Sequence, residues 1–156
     1  MITNLLGQLW HSNQQAVLGP VQKLTADTCR NRLTPDTASA GFIALHTAEA
    51  MHGFSAMIFG RPMSIVPQAS RGAADTGQLL DLAMIQQLMA DSYAMVAEQI
   101  AQTTDEQWAE VIASPMGERS RQQMLAFLMH HNSYHAGQIV QAMKKGRMYE
   151  TEIPAN

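Results

Sequence analysis

Two histidines near the end of the sequence, His131 and His135, have a spacing that suits metal binding. On a helix, side chains four residues apart leave the same face about one turn from each other. Two imidazoles at that separation can converge on one metal ion. Such a pair can also hydrogen-bond within a core or lie half exposed, so the case for a metal site requires a further ligand.

A third histidine, His46, favours the metal site. It follows the apolar stretch Phe42-Ile-Ala-Leu, on a helix whose inward positions recur in alternating steps of three and four. Without a metal, three buried histidines would need three sets of hydrogen-bond partners, and an unpaired buried polar group costs roughly 1–3 kcal/mol. We therefore predict one divalent metal ion held by His46, His131 and His135, with a position left open for water or substrate.

The role of Glu49, one turn from His46, is open at this level. It could be a fourth ligand, an acceptor for an imidazole N–H, or a general base. An acid on the helix surface is an equal alternative. Gln138 and Asn132 are further candidates for hydrogen bonds to the ligands, and the sequence alone names no catalytic residue.

The remaining histidines, His11, His52 and His130, fall away from these helix faces, and structural or solvent-exposed roles are expected for them. The single cysteine, Cys29, is expected to behave as a small buried or half-buried hydrophobe. Since one cysteine cannot form an internal disulfide, the sequence fits a reducing compartment.

Helices must position these side chains, and apolar residues recur at helical spacing nearly throughout the chain. Four long helices are predicted, over residues 2–20, 34–59, 77–102 and 120–146. Thr34-Pro35-Asp36 has the form of a helix start, and Gly60 is the expected stop of the second helix. Ser120 and Gln123 form a capping-box pattern at the start of the fourth.

The connection over residues 60–77 shows little periodicity, and a segment of that length crosses a fold or covers a site. Short helices are predicted around 25–32 and over 104–112, and no strand pattern is evident. Four long helices in 156 residues predict an all-α four-helix bundle with short accessory helices. The long connection permits an up-down-down-up order. We expect one domain over residues 1–156.

The composition gives no reason to expect a nucleic-acid or membrane partner. The net charge is −3, and no block of like charge is present. No stretch approaches the roughly 18 apolar residues that a membrane span needs. A cytoplasmic protein is therefore expected.

The segment Leu128-Met-His-His131-Asn-Ser-Tyr-His135-Ala-Gly-Gln-Ile139 resembles the DinB-like (DinB/YfiT) superfamily of metalloenzymes. That family ends its fourth helix with a His-x-x-x-His pair followed by a Gly-Gln-hydrophobic run. It places the third histidine in the second helix after an apolar stretch, where His46 stands here. The resemblance extends over about residues 3–146. One departure is Ala136, where members often carry Arg.

The resemblance implies an up-down-down-up bundle with a three-histidine site for nickel, zinc or a similar divalent ion, and frequently a homodimer. It also implies a small-molecule substrate, because characterised members include S-transferases and isomerases that use thiols such as bacillithiol or mycothiol. A metal-dependent thiol S-transferase is the resulting expectation. The alternatives are a metal-dependent hydrolase and a non-enzymatic bundle, metal-binding or dimeric, that serves in a stress response.

Overall fold

The computed structural model describes residues 1–70 and 72–149, and within these ranges the chain is mostly helical. The long helices are α1 (Ile2–Gln22), α2 (Ala40–Phe59), α3 (Leu82–Gln102) and α4 (Arg121–Lys145). Two single-turn 3-10 helices, Thr28–Arg30 and Gln107–Ala109, and two short strands, β1 (Val111–Ile112) and β2 (Arg119–Ser120), lie between them. The predicted four-helix architecture is confirmed.

Contacts at the helix ends show that α1 and α3 run antiparallel. Near the start of α1, the hydroxyl of Thr3 donates to the carbonyl of Thr103, just beyond the end of α3. At the other end of the pair, the Gln86 side-chain amide donates to the carbonyl of Val21. Helix α1 also packs against α4, and helix α3 also packs against α2.

The direction of α2 and α4 follows from similar contacts. The Arg121 guanidinium, at the start of α4, donates to the carbonyl of Ile58 at the end of α2, so these two helices are also antiparallel. The starts of α1 and α4 lie at the same end of the bundle, because Trp108 donates to Thr3 and the Arg121 backbone N–H donates to Glu110. The order is up-down-down-up, as the sequence predicted.

Local capping sets the helix boundaries, and the starts of α2 and α3 differ from the prediction. Helix α2 begins at Ala40 with Ser39 as its N-cap, because Thr34 and Thr37 instead close a separate turn through their own hydrogen bonds. Helix α3 begins at Leu82, where Asp81 accepts from the third backbone N–H, so the connection before it is longer than expected. The capping box that opens α4 is confirmed.

A short antiparallel ribbon replaces part of the helix predicted over 104–112. Val111–Ile112 pairs with Arg119–Ser120, and Gly117 in the intervening turn adopts a φ of 85° that favours glycine. The sequence shows no strand pattern over these residues. Two-residue strands are too short to produce the alternation by which a strand is recognised from sequence.

The connection between α2 and α3 is held against the bundle by a buried ion pair. The Arg32 guanidinium lies 2.7 Å from the Asp75 carboxylate, and their side chains are 8% and 3% exposed. Asp75 also accepts from the backbone N–H of Ser39 at the start of α2. This anchor fixes the path of the connection, which passes beside the histidines.

No helix within the described ranges is long and apolar enough to cross a membrane.

Candidate metal centre

The structure brings His46 from α2 together with His131 and His135 from α4. The Nε2 atoms of His46 and His131 are 3.3 Å apart, and those of His131 and His135 are 3.1 Å apart. Two nitrogens that each bind a tetrahedral ion at about 2.1 Å are separated by about 3.4 Å. The three candidate ligand atoms all lie within 4.8 Å of one another, so the cluster could hold a metal ion.

The cluster lies at the edge of the core. The fully buried stripe of α4 runs through Leu128, Asn132 and Ile139, whereas His131 and His135 are half-buried. The fully buried face of α4 is therefore offset by about one residue from the face that carries the two histidines. This offset places the imidazoles where a ligand can reach them.

The long connection fixes the orientation of His46. Its Nδ1–H donates to the carbonyl of Ala69 at 2.8 Å, and a carbonyl can only accept. The proton therefore resides on Nδ1, which leaves the Nε2 lone pair directed at the cluster. Carbonyl acceptors of this kind set the tautomer of metal-binding histidines.

Glu49 holds that connection in place. Its carboxylate accepts from the backbone N–H groups of Gln68 at 2.6 Å and Ala69 at 2.8 Å, and the residue is 3% exposed. The surface-acid interpretation of Glu49 is therefore wrong. Both carboxylate oxygens are directed to the loop rather than the cluster, so Glu49 acts on His46 only indirectly, through Ala69.

The two histidines of α4 have side-chain acceptors within their own helix. Nδ1 of His135 lies 2.7 Å from Oε1 of Gln138, and Nδ1 of His131 lies 3.3 Å from Oδ1 of Asn132. Gln138 and Asn132 were both candidates for this role from sequence. With each Nδ1–H donating outward, three Nε2 lone pairs face one another across the cluster.

The electrostatics of this arrangement fit a cation. Burial lowers the pKa of His131, and burial together with the neighbouring His131 imidazole lowers the pKa of His135 to about 4. Neutral imidazoles are the form that binds metals. Converging lone pairs repel one another, and a divalent ion between them would remove that repulsion. The residues present thus fit such an ion.

A cavity of about 780 Å³ opens beside the cluster. His46 and His135 form part of its wall, together with apolar side chains that include Phe42 and Ile43. Its polar lining residues include Gln138 and Tyr134. Among the described residues, the lining includes no Asp, Glu, Lys or Arg. The size and apolar character suit a small organic molecule.

The other candidates lie outside this site. His52 is buried and contacts the Ser92 hydroxyl at 3.1 Å, and burial lowers its pKa. His11 and His130 are exposed. Cys29 is buried in the first 3-10 helix, where its thiol donates to the carbonyl of Ala26 and burial raises its pKa. The structural and solvent-exposed roles expected for these residues agree with these positions.

Sequence reasoning missed the contribution of Ala69. An alanine carbonyl in an irregular connection carries no motif, and its approach to His46 is visible only once the loop is folded against α2. The one indirect signal was the acid at position 49, whose buried carboxylate requires donors from another segment.

Comparison with known proteins gives the family of the chain. No curated protein matches the sequence. A family model described as the DinB superfamily matches residues 9–139, a span that includes His46, His131 and His135. This confirms the resemblance drawn from the His-x-x-x-His segment, and the chain belongs to the DinB superfamily.

Proposed function

We propose that the protein is a metal-dependent enzyme that binds one divalent ion at His46, His131 and His135 and acts on a small molecule in the adjoining cavity. The observation that carries this proposal is the convergence of three imidazole Nε2 atoms at the wall of that cavity. A bound divalent ion lowers the pKa of a thiol or water molecule that it binds and polarises electrophiles.

Transfer of a low-molecular-weight thiol to an electrophile is the preferred reaction. The described lining of the cavity contains no carboxylate, and Glu49 has both oxygens occupied by backbone N–H groups. Metal-dependent hydrolysis commonly uses a protein carboxylate as general base. A thiol is much more acidic than water and needs no such base, so the residues present favour thiol transfer over the alternative of hydrolysis.

Tyr134 is the residue that we expect to contact the substrate. Its oxygen accepts from Nε2 of Gln138 at 3.2 Å, which leaves the phenolic proton free to donate. The side chain lines the cavity next to His135 and is 59% exposed. We infer that this hydroxyl donates to an oxygen of the bound substrate.

Zinc or nickel is the proposed metal, because neutral imidazole ligands suit both and an open site accommodates either. A non-enzymatic role for the metal is the second candidate. The observation in its favour is that the ligands come from two antiparallel helices, so one ion would cross-link α2 to α4.

Cobalt substitution separates these possibilities. The metal-free protein is loaded with Co²⁺ and titrated with low-molecular-weight thiols, and His135→Ala is treated in parallel as the control. A sulfur-to-cobalt absorption band in the wild type alone supports thiol chemistry. Cobalt binding without such a band, combined with turnover of simple esters or amides, supports hydrolysis instead.

Two further outcomes count against the enzyme. A cobalt spectrum insensitive to every added thiol, anion and substrate analogue would indicate a closed, non-enzymatic site. Absence of any cobalt binding by the wild type would overturn the metal proposal itself.

A homodimer is part of the same proposal. Helix α1 presents Ile2, Leu5 and Leu9 at the surface, with exposures of 40%, 56% and 48%. They recur at steps of three and four along one side of the helix and form an apolar stripe. Such a stripe on a second copy of the chain would be a self-complementary surface for a two-fold interface.

A further inference from the structure

A chain of buried polar side chains runs through the core from α1 to the cluster. Asn13 of α1, Tyr93 of α3 and Asn132 of α4 are 8%, 0% and 0% exposed. The Tyr93 hydroxyl lies 2.8 Å from Oδ1 of Asn13 and 3.1 Å from Nδ2 of Asn132. The last member, Asn132, contacts Nδ1 of His131.

The direction of every hydrogen bond in this series of side chains follows from the contact that Asn13 makes at the end farthest from the cluster. The Asn13 amide nitrogen lies 2.9 Å from the carbonyl of Met129, which can only accept, so Nδ2 must face that carbonyl. Oδ1 of Asn13 then accepts from the Tyr93 hydroxyl. Because the Tyr93 proton is committed to Asn13, its oxygen accepts from Nδ2 of Asn132.

These hydrogen-bond directions leave one possible tautomer for His131. With Nδ2 of Asn132 engaged by Tyr93, its Oδ1 faces His131 and can only accept, so the imidazole proton resides on Nδ1. Burial raises the pKa of Tyr93, which keeps the phenol protonated and able to donate. The Nε2 lone pair of His131 is thereby directed at the other two histidines.

The hydrogen bonds that lead to His135 differ from these in one respect. Gln138, which contacts His135, donates in turn to the hydroxyl of Tyr134. Tyr134 is 59% exposed, so solvent can replace a lost partner there. Around Tyr93 no exposed surface is available, so a missing partner leaves buried polar groups unpaired. The tautomer of His131 therefore depends more on the protein interior than the tautomer of His135 does.

We propose that Asn13 and Tyr93 are positioning residues for the metal centre, which fix the Nδ1–H tautomer of His131 through Asn132. This inference rests on the proposed metal-binding function. Loss of partners that orient metal ligands typically lowers metal affinity about 10- to 100-fold. An effect of that size is expected from Tyr93→Phe, although neither Tyr93 nor Asn13 lines the cavity.

The test compares Tyr93→Phe with Ser92→Ala, a matched control in the same helix. Ser92 is also fully buried, and its hydroxyl donates to the Leu88 carbonyl outside this chain of bonds. Zinc affinity is measured by competition with a chromophoric chelator, and nitrogen NMR of the metal-free protein reports the His131 tautomer. We expect a loss of about 10- to 100-fold and a tautomer change in Tyr93→Phe alone.

The outcomes separate this inference from the proposed function. Wild-type zinc affinity and tautomer in folded Tyr93→Phe would overturn the inference and leave the metal site intact. A wild-type protein that binds no zinc would overturn the proposed function, while the NMR comparison would still decide whether Tyr93 sets the tautomer. If Tyr93→Phe does not fold, Asn13→Ala replaces it, since Asn13 lies at the edge of the core. A wild-type tautomer in that variant would refute the inference.

Discussion

Substitution of Glu49 by alanine should weaken both the fold and the metal site, although Glu49 is not among the clustered ligands. Its carboxylate holds the backbone N–H groups of Gln68 and Ala69, and the Ala69 carbonyl orients His46. The change therefore frees the segment of loop that carries the acceptor for His46. Metal affinity should fall about 10-fold, at the lower end of the effect for partners that orient ligands.

The expected loss of stability follows from the two bonds. A hydrogen bond to a charged group contributes about 1.5–3 kcal/mol, so the pair contributes about 3–6 kcal/mol. Removal of the buried carboxylate also removes its desolvation cost, and Gln68 is exposed, so water can satisfy its N–H. A net loss of about 2–4 kcal/mol is expected for the metal-free protein in urea unfolding.

Two comparisons make the result decisive. Glu98→Ala removes an exposed acid of α3 and should change stability by less than about 0.5 kcal/mol. Glu49→Gln keeps one good acceptor, so it should retain part of the stability and most of the metal affinity. If Glu49→Gln is as stable as the wild type but loses metal binding completely, Glu49 acts as a ligand. Wild-type stability and affinity in Glu49→Ala would refute the argument altogether.

Further predictions concern the ligands, the anchor of the connection and the surface of α1. His135→Ala should lose the metal that elemental analysis finds in untagged wild-type protein, and equal metal content in both would exclude His135 as a ligand. Burial alone would raise the pKa of Asp75. Hydrogen bonds from Ser39 and Gly77 and the charge of Arg32 have the larger combined effect, so the net pKa of Asp75 lies below its ordinary value. The stabilisation by Asp75 is therefore present above the unfolded-state pKa of about 3.9 and is lost as pH falls through the folded-state value. Asp75→Asn should cost about 3 kcal/mol at pH 7 in urea unfolding, with the difference shrinking below about pH 4; a difference independent of pH would contradict this. Leu5→Glu should convert a dimer to a monomer in light scattering, whereas a wild type that is already monomeric would refute the proposed interface.

The sequence by itself determined that the protein is built from four long helices. Apolar residues at helical spacing and the capping box of Ser120 and Gln123 are properties of a few neighbouring residues, so they predicted α4 and the overall architecture. The same local geometry places His131 and His135 on one face, whatever surrounds the helix. Boundaries at Ser39 and Asp81 were less accessible, since several polar residues near each start compete as caps.

Only the tertiary structure decided which groups from distant segments contact the histidines. The facing of His46 toward α4 depends on how two helices pack, and helical periodicity does not fix their rotation to within one residue. The Ala69 carbonyl, the loop-binding role of Glu49 and the interior chain through Tyr93 join segments that are 20 to 80 residues apart. A hydrogen bond between distant segments leaves no local periodicity in the chain, because its geometry arises only when the packed core brings its two ends together.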